Sequence, residues 1–118
     1  MSIERLHKGP RMSQVVIHNK TVYLAGQVAE NPAGKNVAEQ TRDILAAIDT
    51  LLAESKSDKS RILSATIWLT DMAAFGEMNR EWDQWVAAGN TPARATVQSA
   101  RLAGPEYKIE IAVIAAQA

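Results

Sequence analysis

Arg94 stands in Thr91-Pro92-Ala93-Arg94-Ala95-Thr96-Val97, a run of small and apolar residues that leaves a guanidinium poorly solvated unless something anionic meets it. A planar guanidinium holds a carboxylate through two parallel hydrogen bonds, where a lysine offers only a point charge. The chemistry this suggests is recognition of a small organic acid. The plain alternatives are an internal ion pair and a solvated position on an edge strand. Glu110 is the second candidate, set between Ile109 and Ile111 in the segment Lys108 to Val113. In a strand, Ile109, Ile111 and Val113 face one way, and Glu110 shares the other side with Lys108, Ala112 and Ile114. A carboxylate partly withdrawn from water there suits proton transfer, while a solvated strand face would explain Lys108 and Glu110 equally. The pairing register of the two strands decides whether Arg94 and Glu110 act together.

Other residues carry less specific signals. Gly9-Pro10, followed by Arg11, Met12 and Ser13, reads as a turn that either places a side chain over a site or simply reverses the chain. Gly26, inside a strand-like run, marks a bulge or a close backbone approach. Trp82 and Trp85 could stack on a ligand, but their helical spacing with Phe75 and Met78 favours packing. Asn79 is polar beside that stripe, as a solvated residue would be. There is no Gly-x-Ser-x-Gly elbow, phosphate loop or dinucleotide fingerprint. The sequence has no cysteine and only two histidines, His7 and His18, and its acidic residues show no calcium-loop spacing, so no metal is expected.

The elements that must hold these residues follow from periodicity. Val15 to His18 and Thr21 to Val28 are strand-like, with Asn19-Lys20 as a hairpin turn between them. Asn31 to Lys35 is turn chemistry, and Asn36 caps a helix reaching about Glu54, with Val37, Ile44, Leu45, Ile48, Leu51 and Leu52 on one face. After polar Ser55 to Ser60, the segment Ile62 to Thr70 alternates, placing Leu63, Ala65, Ile67 and Leu69 opposite Ser64, Thr66, Trp68 and Thr70. Asp71 caps a second helix through Ala88, ended by Gly89-Asn90, whose stripe is Phe75, Met78, Trp82, Trp85 and Val86. Ala93 to Arg101 and Tyr107 to Ala115 are strands, and Leu102 to Glu106 can join them as a hairpin. The order ββαβαββ predicts an α+β protein with a mixed sheet and both helices on one face. The other sheet face then has no cover, which predicts a homo-oligomer.

Composition bounds the function classes. The 118 residues, 47% of them hydrophobic, fit one domain over residues 1–118 and argue against disorder. Thirteen Lys and Arg balance thirteen Asp and Glu, so no global field draws in nucleic acid or an anionic membrane. The opening MSIERLHKGPRMS lacks the apolar stretch of a secretory signal, and no apolar run is long enough to span a bilayer. A cytoplasmic protein with no membrane partner is expected.

Taken together, Pro92-Ala93-Arg94-Ala95-Thr96-Val97, Ala100-Arg101-Leu102 and Lys108-Ile109-Glu110-Ile111 resemble the signature of the reactive intermediate deaminase family, also called Rid or YjgF-like. Gly9-Pro10, Ala25-Gly26-Gln27, Glu39-Gln40-Thr41 and Ile67-Trp68-Leu69-Thr70-Asp71 match that family in order and spacing, so the resemblance covers nearly the whole chain. It implies a chorismate-mutase-like α+β fold, assembled as a homotrimer with ligand clefts between subunits. It also implies hydrolysis of 2-imino acids and their enamine tautomers to 2-keto acids and ammonia, without a cofactor. In that setting Arg94 binds the substrate carboxylate and Glu110 orients water and moves a proton. Gly26 contributes backbone to the cleft, and Asn79 forms part of its wall. Two departures stand out. Arg11, then Met12, follow Gly9-Pro10 where many members carry a tyrosine, and Thr96 stands where many carry cysteine. Arg11 and Thr96 thus join the substrate-binding candidates, in what resembles a divergent subgroup.

Three functions compete on this basis. The first is an imine deaminase. The second is a non-catalytic protein that binds small carboxylates in the same cleft. The third is an RNA-directed role, against which the zero net charge and lack of a basic stripe weigh.

Overall fold

The computed structural model describes residues 2–118. Three strands come first: β1 (Glu4–Lys8), β2 (Ser13–His18) and β3 (Thr21–Leu24). The order read from the sequence therefore gains a strand and becomes βββαβαββ. In β1 only Leu6 reaches the core, so the alternation that marks a half-buried strand is missing. It is held as a sheet edge by antiparallel pairing with β2, Leu6 opposite Val15. Asn19 and Lys20, with φ of 52° and 62°, form the two-residue turn of the β2–β3 hairpin, whose favoured type needs positive φ at both positions.

Helix α1 (Val37–Glu54) begins with a capping box. Asn36 Oδ1 accepts the Glu39 N–H at 2.8 Å, and the Glu39 carboxylate accepts the Asn36 N–H at 3.0 Å. Its buried face contains the expected Val37, Ile44, Leu45, Ile48, Leu51 and Leu52. Strand β4 (Ile62–Leu69) follows, with a register slip between Ile62 and Ser64. The slip corrects the expected alternation: Ile62 is buried and Leu63 turns outward, 53% exposed, because an extra residue inverts the facing of everything on one side of it. Asp71 caps not the second helix itself but a 3-10 turn, Met72–Ala74, that leads into α2 (Phe75–Trp85). That helix stops short of Ala88, since Val86 leaves helical geometry with ψ at 143°.

The last two strands are β5 (Ala93–Gln98) and β6 (Ile109–Ala116). They do not form the expected hairpin. The sheet order is β1-β2-β3-β6-β4-β5, with β6 antiparallel to both β3 and β4, and β5 parallel to β4 at the edge. Strand β6 buries Ile109, Ile111, Val113 and Ala115 and half-buries the residues between them, as a central strand does. Strand β5 exposes Ala93, Ala95 and Val97, as an edge does. Gln40, fully buried on α1, guides the connection. Its amide N–H groups donate to the carbonyls of Lys35 at 3.1 Å and Glu106 at 3.0 Å, and its oxygen accepts the Lys108 N–H at 3.0 Å.

The core lies between the sheet and the two helices, which share one face. The other face carries Val16, Tyr23, Trp68, Val97 and Ile114, and among the described residues no helix covers it. Tyr23 is 45% and Val97 43% exposed there. Among the described residues, no helix is long and apolar enough to cross a membrane.

Candidate functional site

Glu110 lies on the uncovered face, opposite Trp68 of β4. Its carboxylate rests against the backbone of Gly26: a Cβ at that glycine would stand 2.0 Å from Glu110 Oε2 and 2.9 Å from its Cδ. Both alternatives raised for Gly26, bulge and close approach, are found together. Tyr23 pairs with Ile114 and Gln27 with Ile111, so three residues on the Gly26 side span two on β6. The Ala25 N–H donates to Gln14 O at 2.9 Å, tying this corner to the start of β2. The Gly9–Met12 turn precedes that start and is closed by the Gly9 N–H donating to Met12 O at 2.8 Å. Arg11, exposed in the turn, lies at the same end of the sheet as Gly26 and enters no salt bridge among the described residues.

Arg94 lies on the helix-facing side of β5, where its strand neighbour is buried Ala65. It is half-buried against α2. Its Cζ stands 5.2 Å from the Trp82 ring centroid and 5.8 Å from that of Phe75, and Nη1 is 4.0 Å from Met78 Sδ. Neither plain alternative for Arg94 holds: it forms no salt bridge among the described residues, and it is not freely solvated. Thr96, two residues along the same side of β5, has a buried hydroxyl with no hydrogen-bond partner among the described residues, and so has Asn79 Oδ1 on α2. A buried polar atom without a partner costs about 1–3 kcal/mol, so both atoms favour a donor arriving from outside the chain. A cleft of about 250 Å³ borders Arg94 between Ser64, Thr66 and Ala93. A roomier hollow of about 500 Å³ lies by His7, Gln27 and Glu54 and contains none of these residues. Among the described residues, no group of three metal-ligating side chains comes together.

The candidates thus form two clusters. Gly26 and Glu110 meet directly, with the Arg11 turn at their end of the sheet, while Arg94 and Thr96 share one side of β5 near α2. Arg94 and Glu110 do not converge within one chain. They are two strands apart and on opposite faces, and their register partners on β4, Ala65 and Trp68, are three positions apart. At strand and residue spacings of roughly 4.8 and 3.3 Å, their backbones are on the order of 14 Å apart. Phe75 and Met78 read in the sequence as a packing stripe, and for Trp82 the sequence favours the same packing over stacking on a ligand. The signal that could have marked them as neighbours of Arg94 is an aromatic-rich helix immediately preceding an arginine strand.

The sequence matches the family described as Endoribonuclease L-PSP over residues 3–117. The chain belongs to this Rid/YjgF-like family. Among family members, it is 47% identical to a RutC family protein of Haemophilus influenzae over 115 residues, 98% of each chain. A crystal structure of a YjgF family member from Neisseria meningitidis superimposes with a TM-score of 0.96 at 49% identity, covering 100% of this chain and 97% of that one. A more distant Rid relative, the 2-iminobutanoate/2-iminopropanoate deaminase of Rattus norvegicus, is 32% identical over 110 residues, 89% of this chain and 79% of the other. The expected α+β class, mixed sheet and family are thereby borne out.

Proposed function

We propose that the protein hydrolyses 2-imino acids and their enamine tautomers to 2-keto acids and ammonia, in clefts shared between the subunits of a homotrimer. The observation that carries this reading is the separation just described. Arg94 is an uncompensated cation suited to a carboxylate, Glu110 is a carboxylate lying against the Gly26 backbone, and one chain keeps them on opposite faces. A second copy against the uncovered face, with its Val16, Tyr23, Trp68 and Ile114, would bring one chain's Arg94 to its neighbour's Glu110. The deaminase of Rattus norvegicus supports the choice of reaction.

The chemistry needs no nucleophilic side chain. A protonated imine carbon is already electrophilic, so the site must fix the acid, place a water and manage protons. Arg94 holds the substrate carboxylate. Glu110 takes a proton as the water oxygen bonds to C2, and the C=N π pair moves onto nitrogen. The Glu110 proton then passes to nitrogen, the C–N bond breaks with its electron pair leaving on ammonia, and the C2 hydroxyl oxygen forms the carbonyl as it returns its proton to the Glu110 carboxylate. Asn79 Oδ1 and the Thr96 hydroxyl are acceptors for substrate N–H or water, and Gly26 leaves room for the Glu110 carboxylate. Arg11 contributes positive charge at the rim. Zero net charge gives no general attraction for RNA.

The test is a coupled assay in which an amino-acid oxidase generates 2-imino acids in the presence of semicarbazide. The protein is expected to lower semicarbazone formation in proportion to its concentration, and Arg94→Ala and Glu110→Gln to abolish the effect. Co-refolded in equal amounts, the two inactive variants should regain about a quarter of the wild-type activity, because some mixed interfaces pair an intact arginine with an intact glutamate. Unchanged semicarbazone yield with wild-type protein would favour non-catalytic carboxylate binding. Failure of the mixture to recover, with both parents trimeric by light scattering, would sink the shared cleft.

A further inference from the structure

Three residues on one face of α2, Phe75, Met78 and Trp82, surround the Arg94 guanidinium. All three are electron-rich and none is charged. An aromatic face attracts a guanidinium through its quadrupole and leaves the positive charge in place, whereas a carboxylate partner would neutralise it and occupy the N–H fork. Two of the three acidic residues on this helix are committed elsewhere, and the third, Asp83, is exposed. Glu77 accepts the Ala38 N–H at 2.9 Å, and Glu81 pairs with Arg42 at 3.0 Å, both toward α1. Helix α2 therefore presents Phe75, Met78 and Trp82 to Arg94 and the carboxylates of Glu77 and Glu81 to α1.

The two rings differ in what else they do. Trp82 is 5% exposed and belongs to the core, but Phe75 is 39% exposed, more than a core ring would be. Phe75 lies outside the core cluster, and the cation facing its ring is Arg94. We infer that Phe75 is a positioning residue that, with Trp82, holds the Arg94 guanidinium flat so that its free N–H edge meets the incoming carboxylate, setting affinity for the acid rather than the rate of chemistry. This rests on the carboxylate-binding role of Arg94 proposed above.

The experiment measures the dissociation constant of 2-oxobutanoate by calorimetry, with KM and kcat from the semicarbazide assay, for the full chain and its Phe75→Leu, Phe75→Tyr, Phe75→Glu and Arg94→Ala variants. Leucine keeps an apolar side chain and removes the quadrupole, so Phe75→Leu should weaken both the dissociation constant and KM about five-fold, the size of an exposed cation–π contact, with the larger change in KM than in kcat. Phe75→Tyr should restore binding to within about two-fold, because the ring face is kept. Phe75→Glu should approach Arg94→Ala, its new carboxylate capturing the guanidinium. If Arg94→Ala loses binding while Phe75→Leu and Phe75→Glu bind like wild type, the positioning role is wrong and the carboxylate reading of Arg94 survives. If Arg94→Ala itself binds like wild type, the reading of Arg94 falls, and the role of Phe75 with it.

Discussion

Replacing Gly26 by alanine should separate function from stability. The added Cβ would stand 2.0 Å from Glu110 Oε2, and ordinary contact begins near 3.4 Å, so the oxygen must retreat by about 1.4 Å. Its obstacle is the far end of a flexible side chain, so the fold can yield by an off-rotamer glutamate at a cost of about 1 kcal/mol. Gly26 is not among the glycines with positive φ, so alanine fits its backbone and gains about 0.4–1 kcal/mol from a less disordered unfolded chain. The two effects nearly cancel, and the urea midpoint of Gly26→Ala should lie within about 1 kcal/mol of wild type. Activity should not cancel. A catalytic group displaced by ~1 Å can lose about a hundred-fold in rate, so kcat in the semicarbazide assay should fall by about two orders of magnitude. Glu110→Gln sets the floor. A Gly26→Ala protein that folds normally and keeps activity within about three-fold would show that the carboxylate's resting place against this backbone has no part in catalysis.

Three further outcomes follow from the same contacts. Thr96→Val removes a buried hydroxyl that has no partner among the described residues, so urea denaturation should show a gain of up to about 1 kcal/mol; a loss of 2 kcal/mol or more would mean the hydroxyl is bonded in the folded protein. Gln40→Leu strips partners from the Glu106 carbonyl and the Lys108 N–H together and should destabilise by about 2–3 kcal/mol in urea, with a wild-type midpoint counting against its role in seating β6. The Ser60 hydroxyl and backbone N–H donate to the Asp58 carboxylate and hold its pKa below the ordinary 3.8. Because the folded value is the lower one, this stabilisation is present above 3.8 and is lost as pH falls through the lowered value, so the Tm deficit of Asp58→Ala at neutral pH should shrink as pH is taken progressively below 3.8.

Local signals identified the parts well where the cause is local. The Asn36 cap and the apolar face of α1 are written within one short stretch of chain, and both appear as read. The alternation around Glu110 likewise put Ile109, Ile111 and Val113 on the core side. Gly26 signalled a close approach without naming what approaches, because its neighbour Glu110 comes from the far end of the chain. The errors in the strands share a cause in non-local pairing. Strand β1 exists by virtue of β2, Leu63 faces out because of a slip against β6, and the hairpin of β5 with β6 gives way to a central β6. Facing within a sheet depends on the partner as much as on the strand's own pattern.

That dependence reaches the chemistry through β4, which touches both functional strands. Arg94 takes the side of its neighbour Ala65, and Glu110 takes the side of its neighbour Trp68. Ala65 and Trp68 are an odd number of residues apart, so successive pleats send the two functional groups to opposite faces. An even offset would have placed arginine and glutamate on one side of one sheet, within the span of a single small acid and with no need of a neighbour. A one-residue slip of β5 against β4 would achieve that inversion, but it would also carry Arg94 away from Phe75, Met78 and Trp82 and turn Ala95 toward α2 in its place. The register that shelters the arginine's charge on an aromatic face is the same register that divides it from the glutamate, and on the proposed reading it is also what makes a second copy of the chain part of the site.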